Sequence, residues 1–136
     1  MGNLAEKHVV TSFLERNGLV LLLRRSGRVG TFRDKWAGVS GYVESTPDEQ
    51  SIIEIFEETG LASRQVTLLK KGTPLTVDDS ENGVKWIIHP FYYSIKPLAE
   101  ITTNWEHTEI RWIRPEQIGE FKTVPKLAEA LLCVLP

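Results

Sequence analysis

Directly after Asn17-Gly18 the chain runs Leu19-Val20-Leu21-Leu22-Leu23 without a polar interruption. Successive side chains of a strand point to opposite faces, so a strand made of this run is apolar on both and needs cover on both. That requirement favours a sheet sandwiched between helices over a sheet with one wet face. Asn-Gly accepts the positive φ angles of a tight primed turn, which makes "HVVTSFLER" and "LVLLLRR" the arms of a hairpin. Further strand candidates are "VTLLKKGTPLTV", "KWIIHPFYYSIK" and "EIRWIR", the first two separated by the polar turn "DDSENG". "SGRVGTFRDK" mixes Gly, Ser and charge and reads as a mobile loop. "PEQIGEF" holds a helical turn. "VPKLAEALLCVL" reads as a helix with Pro125 near its start and Leu127, Ala128, Leu131 and Leu132 at helical spacing. Strands, helix, strands, helix in that order give an α/β (α+β) fold, a mixed sheet with helices packed on it.

At 136 residues, 41% apolar and 25% charged, the chain is sized for one domain spanning 1–136. A formal charge of −2 gives no general attraction to a nucleic-acid backbone or an anionic membrane, so neither is expected as a partner. No apolar run nears the roughly 20 residues that span a bilayer, and "MGNLAEKHVV" lacks the apolar centre of a signal peptide. A soluble, cytoplasmic protein is the expectation. Gly2 after Met1 opens like a myristoylation signal, but Glu6 stands where Ser or Thr belongs. The single cysteine, Cys133, lies in an apolar run and reads as a small hydrophobe. His8, His89 and His107 have no zinc-type spacing. The apolar strands either close a core or pair with a second subunit, so a homodimer stays open.

The most informative segment is "GYVESTPDEQSIIEIFEETGL", Gly41 to Leu61. Thr46 to Glu49 has the Thr-x-x-Glu form of a capping box, with Pro47 at the first helical position. Gly60 follows Thr59 as a left-handed cap, so the spacing predicts a helix over Pro47–Thr59. A helical wheel puts Ile52, Ile55 and Phe56 on one face as core and Glu54, Glu57 and Glu58 on the other. A solvated acidic face is the ordinary meaning of such a charge run. Yet like charges at i, i+4 cost a few tenths of a kcal/mol per pair, about 0.2–0.5, and the last turn of a helix favours cations. Three carboxylates stacked on one face, two of them in the last turns, fit a site whose charge is balanced by a hard divalent cation, Mg²⁺ or Mn²⁺.

Glu54-Ile55-Phe56-Glu57-Glu58-Thr59-Gly60-Leu61 resembles the end of the Nudix box, Glu-U-x-Glu-Glu-x-Gly-U with U aliphatic. "WAGVSGYVES" is similar to the strand and Gly-rich turn that lead into that box, and the strand order resembles the family over most of the chain. Two departures stand out. Ile53 occupies the place of the box arginine, and Val43-Glu44-Ser45-Thr46 replaces the family's commoner Val-Glu-Pro-Gly-Glu-Thr. The arginine is associated with orienting the box carboxylates, so that support has to come from another residue here or is lost.

The resemblance implies a metal-dependent hydrolase that cleaves a diphosphate linkage in a nucleoside diphosphate derivative, with water attacking phosphorus. It implies Glu57 and Glu58 as principal metal ligands and Glu54 as a further ligand or the base. A base outside the box is offered by "NWEHTEIRWI", with Glu106 preferred to Glu109. Arg25 and Arg33, among Arg24, Arg28 and Lys35, are candidates for holding phosphate, although a solvated surface is the ordinary place for any one of them. Backbone near Gly38 and Gly41 can approach the diphosphate, or those glycines mark only a bulge. Trp36, Trp86, Phe91, Tyr92 and Tyr93 can stack a base or form core, and Trp36 is the one of them expected at the substrate. Two other readings stay open: a non-catalytic domain that binds a nucleotide or a protein, and an isoprenyl diphosphate isomerase-like enzyme.

Overall fold

The computed structural model describes residues 3–136; Met1 and Gly2, and with them the myristoylation reading, lie outside the described residues. The described chain forms β1 (Ala5–Arg16), β2 (Leu19–Arg25), β3 (Trp36–Ala37), β4 (Val39–Tyr42), α1 (Pro47–Thr59), β5 (Val66–Lys71), β6 (Leu75–Asp79), β7 (Val84–Ile95), β8 (His107–Ile113) and α2 (Leu127–Val134). Short 3-10 turns occupy Ser63–Gln65 and Pro115–Glu120.

Asn17 and Gly18, at φ 55° and 80°, turn β1 into β2, which pair only as Arg16↔Leu19 and Glu15↔Val20. Beyond those pairs the two strands part. β1 runs parallel to β7 from Ala5↔Val84 to Glu15↔Ser94, whereas β2 pairs antiparallel with β8. Trp36 to Tyr42 bridges the opening, with β3 on β2 and β4 on β1. Gly38 makes the crossing because a Cβ there would lie 2.8 Å from the Ser12 carbonyl oxygen. The split leaves a wedge between the two halves of the sheet, and the site forms in it.

The expected strand "VTLLKKGTPLTV" is two strands. β5 and β6 both pair antiparallel with β7, β6 along its first half (Leu75↔Ile88) and β5 along its second (Thr67↔Ser94). Pro74 has no N–H to give a ladder, and Gly72 passes so close to Pro90 and Val134 that a Cβ would sit 2.9 Å from each.

β2 is covered on both faces, as its uninterrupted apolar run requires. Leu21 and Leu23 join Val10, Leu14, Phe91 and Tyr93 against Ile55 of α1. Val20 and Leu22 join Phe13, Tyr92 and Trp36 against Leu127, Ala130, Leu131 and Val134 of α2. That stripe corrects the expected one: Leu132 is 72% exposed, because the sheet covers the i, i+3, i+4, i+7 line that starts at Leu127. Among the described residues no helix is long and apolar enough to cross a membrane.

Candidate active site

Local signals set the limits of α1. Thr46, extended at φ −121° and ψ 152°, accepts the Glu49 N–H at 3.2 Å, and Gly60 at φ 75° donates its N–H to the Phe56 carbonyl at 2.9 Å. Only half of the capping box forms, since the Glu49 carboxylate accepts from the Ser45 hydroxyl at 2.7 Å. The buried face differs from the helical-wheel expectation. Gln50, Ser51, Glu54, Ile55, Glu58 and Thr59 are buried, while Phe56 is 59% exposed and Ile53 45%. The helix is rotated toward its acidic side because what lies beneath it there is polar: β4 offers the Ser40 N–H, and β8 offers His107.

Each carboxyl has its own surroundings. Glu54 lies directly over Gly41, where any Cβ would come within 2.1 Å of its carboxyl carbon, so the glycine is the seat of this acid. Gln50, one turn earlier, donates from Nε2 to Glu54 Oε2 at 3.1 Å and accepts the Glu44 N–H at 3.1 Å, which clasps the shortened loop to the helix. Glu58 is buried, with Oε1 accepting the Ser40 N–H at 3.4 Å and 3.5 Å from His107 Nε2. Its Oε2 is buried without a hydrogen-bond partner. Glu57 is exposed, and its backbone carbonyl accepts from Asn104 Nδ2 at 3.0 Å.

Asn104 ties the far wall together. Its side chain also accepts the Glu106 N–H at 3.0 Å, while the Glu106 carbonyl accepts the Ser26 N–H at 2.8 Å. Glu106 therefore stands on the cleft wall, fixed to α1 through Asn104 and to Ser26 just past the end of β2. Glu109, the other base candidate, is paired with Arg24 at 3.2 Å. Arg25 projects into the cleft, its Nε donating to the Thr31 carbonyl at 3.0 Å and its charge facing Glu58 and Glu106.

Crowded carboxyls in a partly dry site favour the neutral acid. Burial, followed by the charge of Glu57, pushes Glu54 up to about 7. Burial, then Glu106 and Glu54, pushes Glu58 well above the ordinary carboxylate range. His107 lies at ion-pair distance from Glu58, yet burial and Arg25 push it down to about 4, so the imidazole is neutral at pH 7 and the contact is not an ion pair.

The cleft has a volume of about 310 Å³. Glu54, Gln50, Gly41, Arg25 and Glu106 line its polar end, and Phe32, Tyr42, Trp86 and Ile88 its apolar end. The Trp86 ring lies 6.0 Å from that of Tyr42 and 6.3 Å from that of Phe32, and its Nε1 donates to Asp79 at 3.2 Å.

Two expected substrate contacts are elsewhere. Trp36 is buried in the α2-side core, edge-on to Phe121 at 5.5 Å, because residue 36 of β3 points to the face opposite α1. Arg33 is exposed and donates to the Val29 carbonyl at 2.8 Å, within its own loop. Phe91, Tyr92 and Tyr93 are core. Sequence reasoning missed Gln50, His107, Phe32 and Tyr42. Gln50 was legible as a partner four residues before Glu54; His107 and Tyr42 reach the site through strand register, and Phe32 through the path of the loop between β2 and β3.

The NUDIX domain family model matches residues 6–132. Nucleoside triphosphatase NudI from Escherichia fergusonii is 25% identical over 127 residues, which cover 85% of this chain and 87% of that protein. The crystal structure of the MutT protein from Methanosarcina mazei superposes with a TM-score of 0.80 at 24% identity, over 97% of this chain and 94% of that one. A C. elegans Ap4A hydrolase gives a TM-score of 0.74 at 16% identity, over 94% and 93% of the two chains. At these identities the superpositions speak for the fold, and the sequence match that runs from β1 into α2 speaks for descent: this chain belongs to the Nudix family and is a Nudix-type hydrolase.

Proposed function

We propose that the family's chemistry, cleavage of a diphosphate linkage in a nucleoside diphosphate derivative, runs here with Mg²⁺ or Mn²⁺ held by Glu54, Glu57 and Glu58. The observation that carries this reading is the buried, unpartnered Oε2 of Glu58 next to a second buried carboxyl, that of Glu54, which is the acid of the three that lines the polar end of the cleft. Buried carboxyls with raised proton affinity are an unfavourable arrangement unless a cation balances them, and carboxylate oxygens are the donors that hard divalent ions take. Among the described residues no three acidic, imidazole or thiol groups are arranged to hold an ion as the side chains stand, so binding includes a side-chain adjustment. Exposed Glu57 is the freest of the three to move. When bound, the ion neutralises diphosphate charge and acidifies water.

The remaining groups have separable roles. Arg25 donates charge-assisted hydrogen bonds to a phosphate at the cleft's polar end. Glu106, held by Asn104 on the opposite wall, accepts the proton of the attacking water. Phe32, Tyr42 and Trp86 offer aromatic faces to a planar base.

A panel of nucleoside triphosphates, ADP-ribose, NADH, diadenosine polyphosphates and nucleotide sugars with Mg²⁺ or Mn²⁺ tests the reading, beside a chelator control and Glu57→Gln. The triphosphatase activity named for the Escherichia relative puts nucleoside triphosphates first in that panel. Metal-dependent turnover lost in the variant supports hydrolysis. Nucleotide binding without turnover of any compound would instead assign a binding domain.

A further inference from the structure

α1 carries no Lys, Arg or His, so no cation on the helix orients its own carboxylates, and Ile53 is turned outward at 45% exposure. The two oxygens of Glu58 nonetheless have different surroundings. Oε1 is engaged by the Ser40 N–H at 3.4 Å and approached by His107 Nε2 at 3.5 Å, whereas Oε2 is buried and has no partner. Contact between His107 and Glu58 is almost dry, the two side chains being 2% and 1% exposed. A polar pair sealed from water interacts more strongly than the same pair on the surface, and its orientation is correspondingly better defined.

The sheet sets the position of His107. It pairs with Arg25 across β2 and β8, at a register shift between Arg24 and Arg25. Such a bulge re-aims the side chains beside it, and here the imidazole of His107 lies 3.5 Å from Glu58 while the charge of Arg25 faces the same carboxyl. Arg25 is also drawn toward Glu106 and Thr31, while the Nε2 of His107 has Glu58 as its polar neighbour.

We infer that His107 is a positioning residue for Glu58: its Nε2 holds Oε1, together with the Ser40 N–H, and so leaves Oε2 free as a cation ligand. This role rests on the metal-dependent reading above and supplies from β8 the orientation that α1 lacks. The proton is on Nε2 in the tautomer that performs it, and Nδ1 is the second buried atom without a partner in this pair.

The test is the affinity of the substrate-free protein for Mn²⁺, measured by titration calorimetry in wild type, His107→Gln, His107→Leu and His107→Met. Melting curves in chelator accompany it. Glutamine keeps an N–H donor near the place of Nε2, while leucine and methionine fill the space without one. Loss of the donor should weaken Mn²⁺ binding ~10- to 100-fold, as removal of a ligand's supporting hydrogen bond does, with glutamine retaining most of the affinity. If leucine fails to fold, methionine carries the comparison. Equal affinity in the donor-free variants, or equal loss in all three, would overturn the positioning role while leaving the hydrolase reading intact. A wild type that binds no Mn²⁺ would instead remove that reading, and this inference with it.

Discussion

The two helices press on opposite faces of one sheet and do so with opposite chemistry. α2 buries Leu127, Ala130, Leu131 and Val134, all apolar, whereas α1 buries Ile55 among Gln50, Ser51, Glu54, Glu58 and Thr59. α2 is therefore held by area removed from water, at about 25 cal/mol per Å². α1 is held by Ile55 and by directed contacts to other parts of the chain: the Ser51 hydroxyl with that of Tyr93, the Glu58 carboxyl accepting the Ser40 N–H, and the Thr59 carbonyl accepting the Thr102 N–H. Polar burial gives little net stability, but it fixes side chains in place, which a binding site needs and a cover does not. One helix is a lid on the core and the other is a mounting for acids.

The largest contrast is expected from Leu131→Ala, which opens a cavity under α2 and should cost about 2–5 kcal/mol in denaturant unfolding. Surviving folded protein should keep its Mn²⁺ affinity, since the cavity is on the face away from the acids; a change in that affinity would show that the two sides are coupled.

Gly41→Ala acts on the other helix and should reverse the pattern. The added methyl falls on the flexible end of Glu54, so the acid is displaced rather than the backbone, and unfolding free energy should fall by at most about 1–3 kcal/mol. Turnover should fall by roughly 10- to 100-fold, on the order expected for a misdirected metal ligand. A variant with full activity would mean that Glu54 works from a different position.

A pH effect should be the smallest. Burial and neighbouring Glu57 raise Glu54 in the folded protein to about 7, so the metal-free fold binds a proton that the unfolded chain has released. The stability this contributes is complete below the ordinary carboxylate range and is lost as pH rises through 7. His107, held down to about 4 by burial and Arg25, has the opposite dependence: its contribution is present above the ordinary imidazole range and is lost as pH falls through 4. Comparing wild type with Glu54→Gln in chelator at pH 5 and pH 8 isolates the first. Wild type should be the relatively weaker of the two at pH 8, and saturating Mn²⁺ should reverse that order, because the ion binds the ionised acid and stabilises wild type more than a variant without that ligand. A constant difference between the two proteins across that range would place Glu54 in a wetter setting.

Much of this architecture is legible from short stretches of chain. The limits of α1 follow from Thr46, Pro47 and Gly60, and the β1–β2 turn from Asn17-Gly18, because each signal is satisfied by atoms within a few residues. The double cover of β2 follows from its unbroken apolar run, since alternation leaves no polar face. The acids at Glu54, Glu57 and Glu58 were likewise visible as a pattern. Their individual fates were not. Phe56 falls on the apolar face of the helical wheel and is exposed, while Glu58 falls on the acidic face and is sealed. Trp36 is the tryptophan expected at the substrate, yet it packs under α2, and Trp86 faces the cleft.

The sequence by itself determined where elements start and stop and which residue types the acidic helix brings, since capping, turn and strand preferences are settled by backbone geometry over a turn or two. Tertiary structure alone decided which side of that helix is buried, which tryptophan meets the cleft, and that His107 from β8 stands beside Glu58. Those outcomes depend on what covers each face, and the covering groups come from residues as far apart in the chain as Arg25, Ser40 and His107.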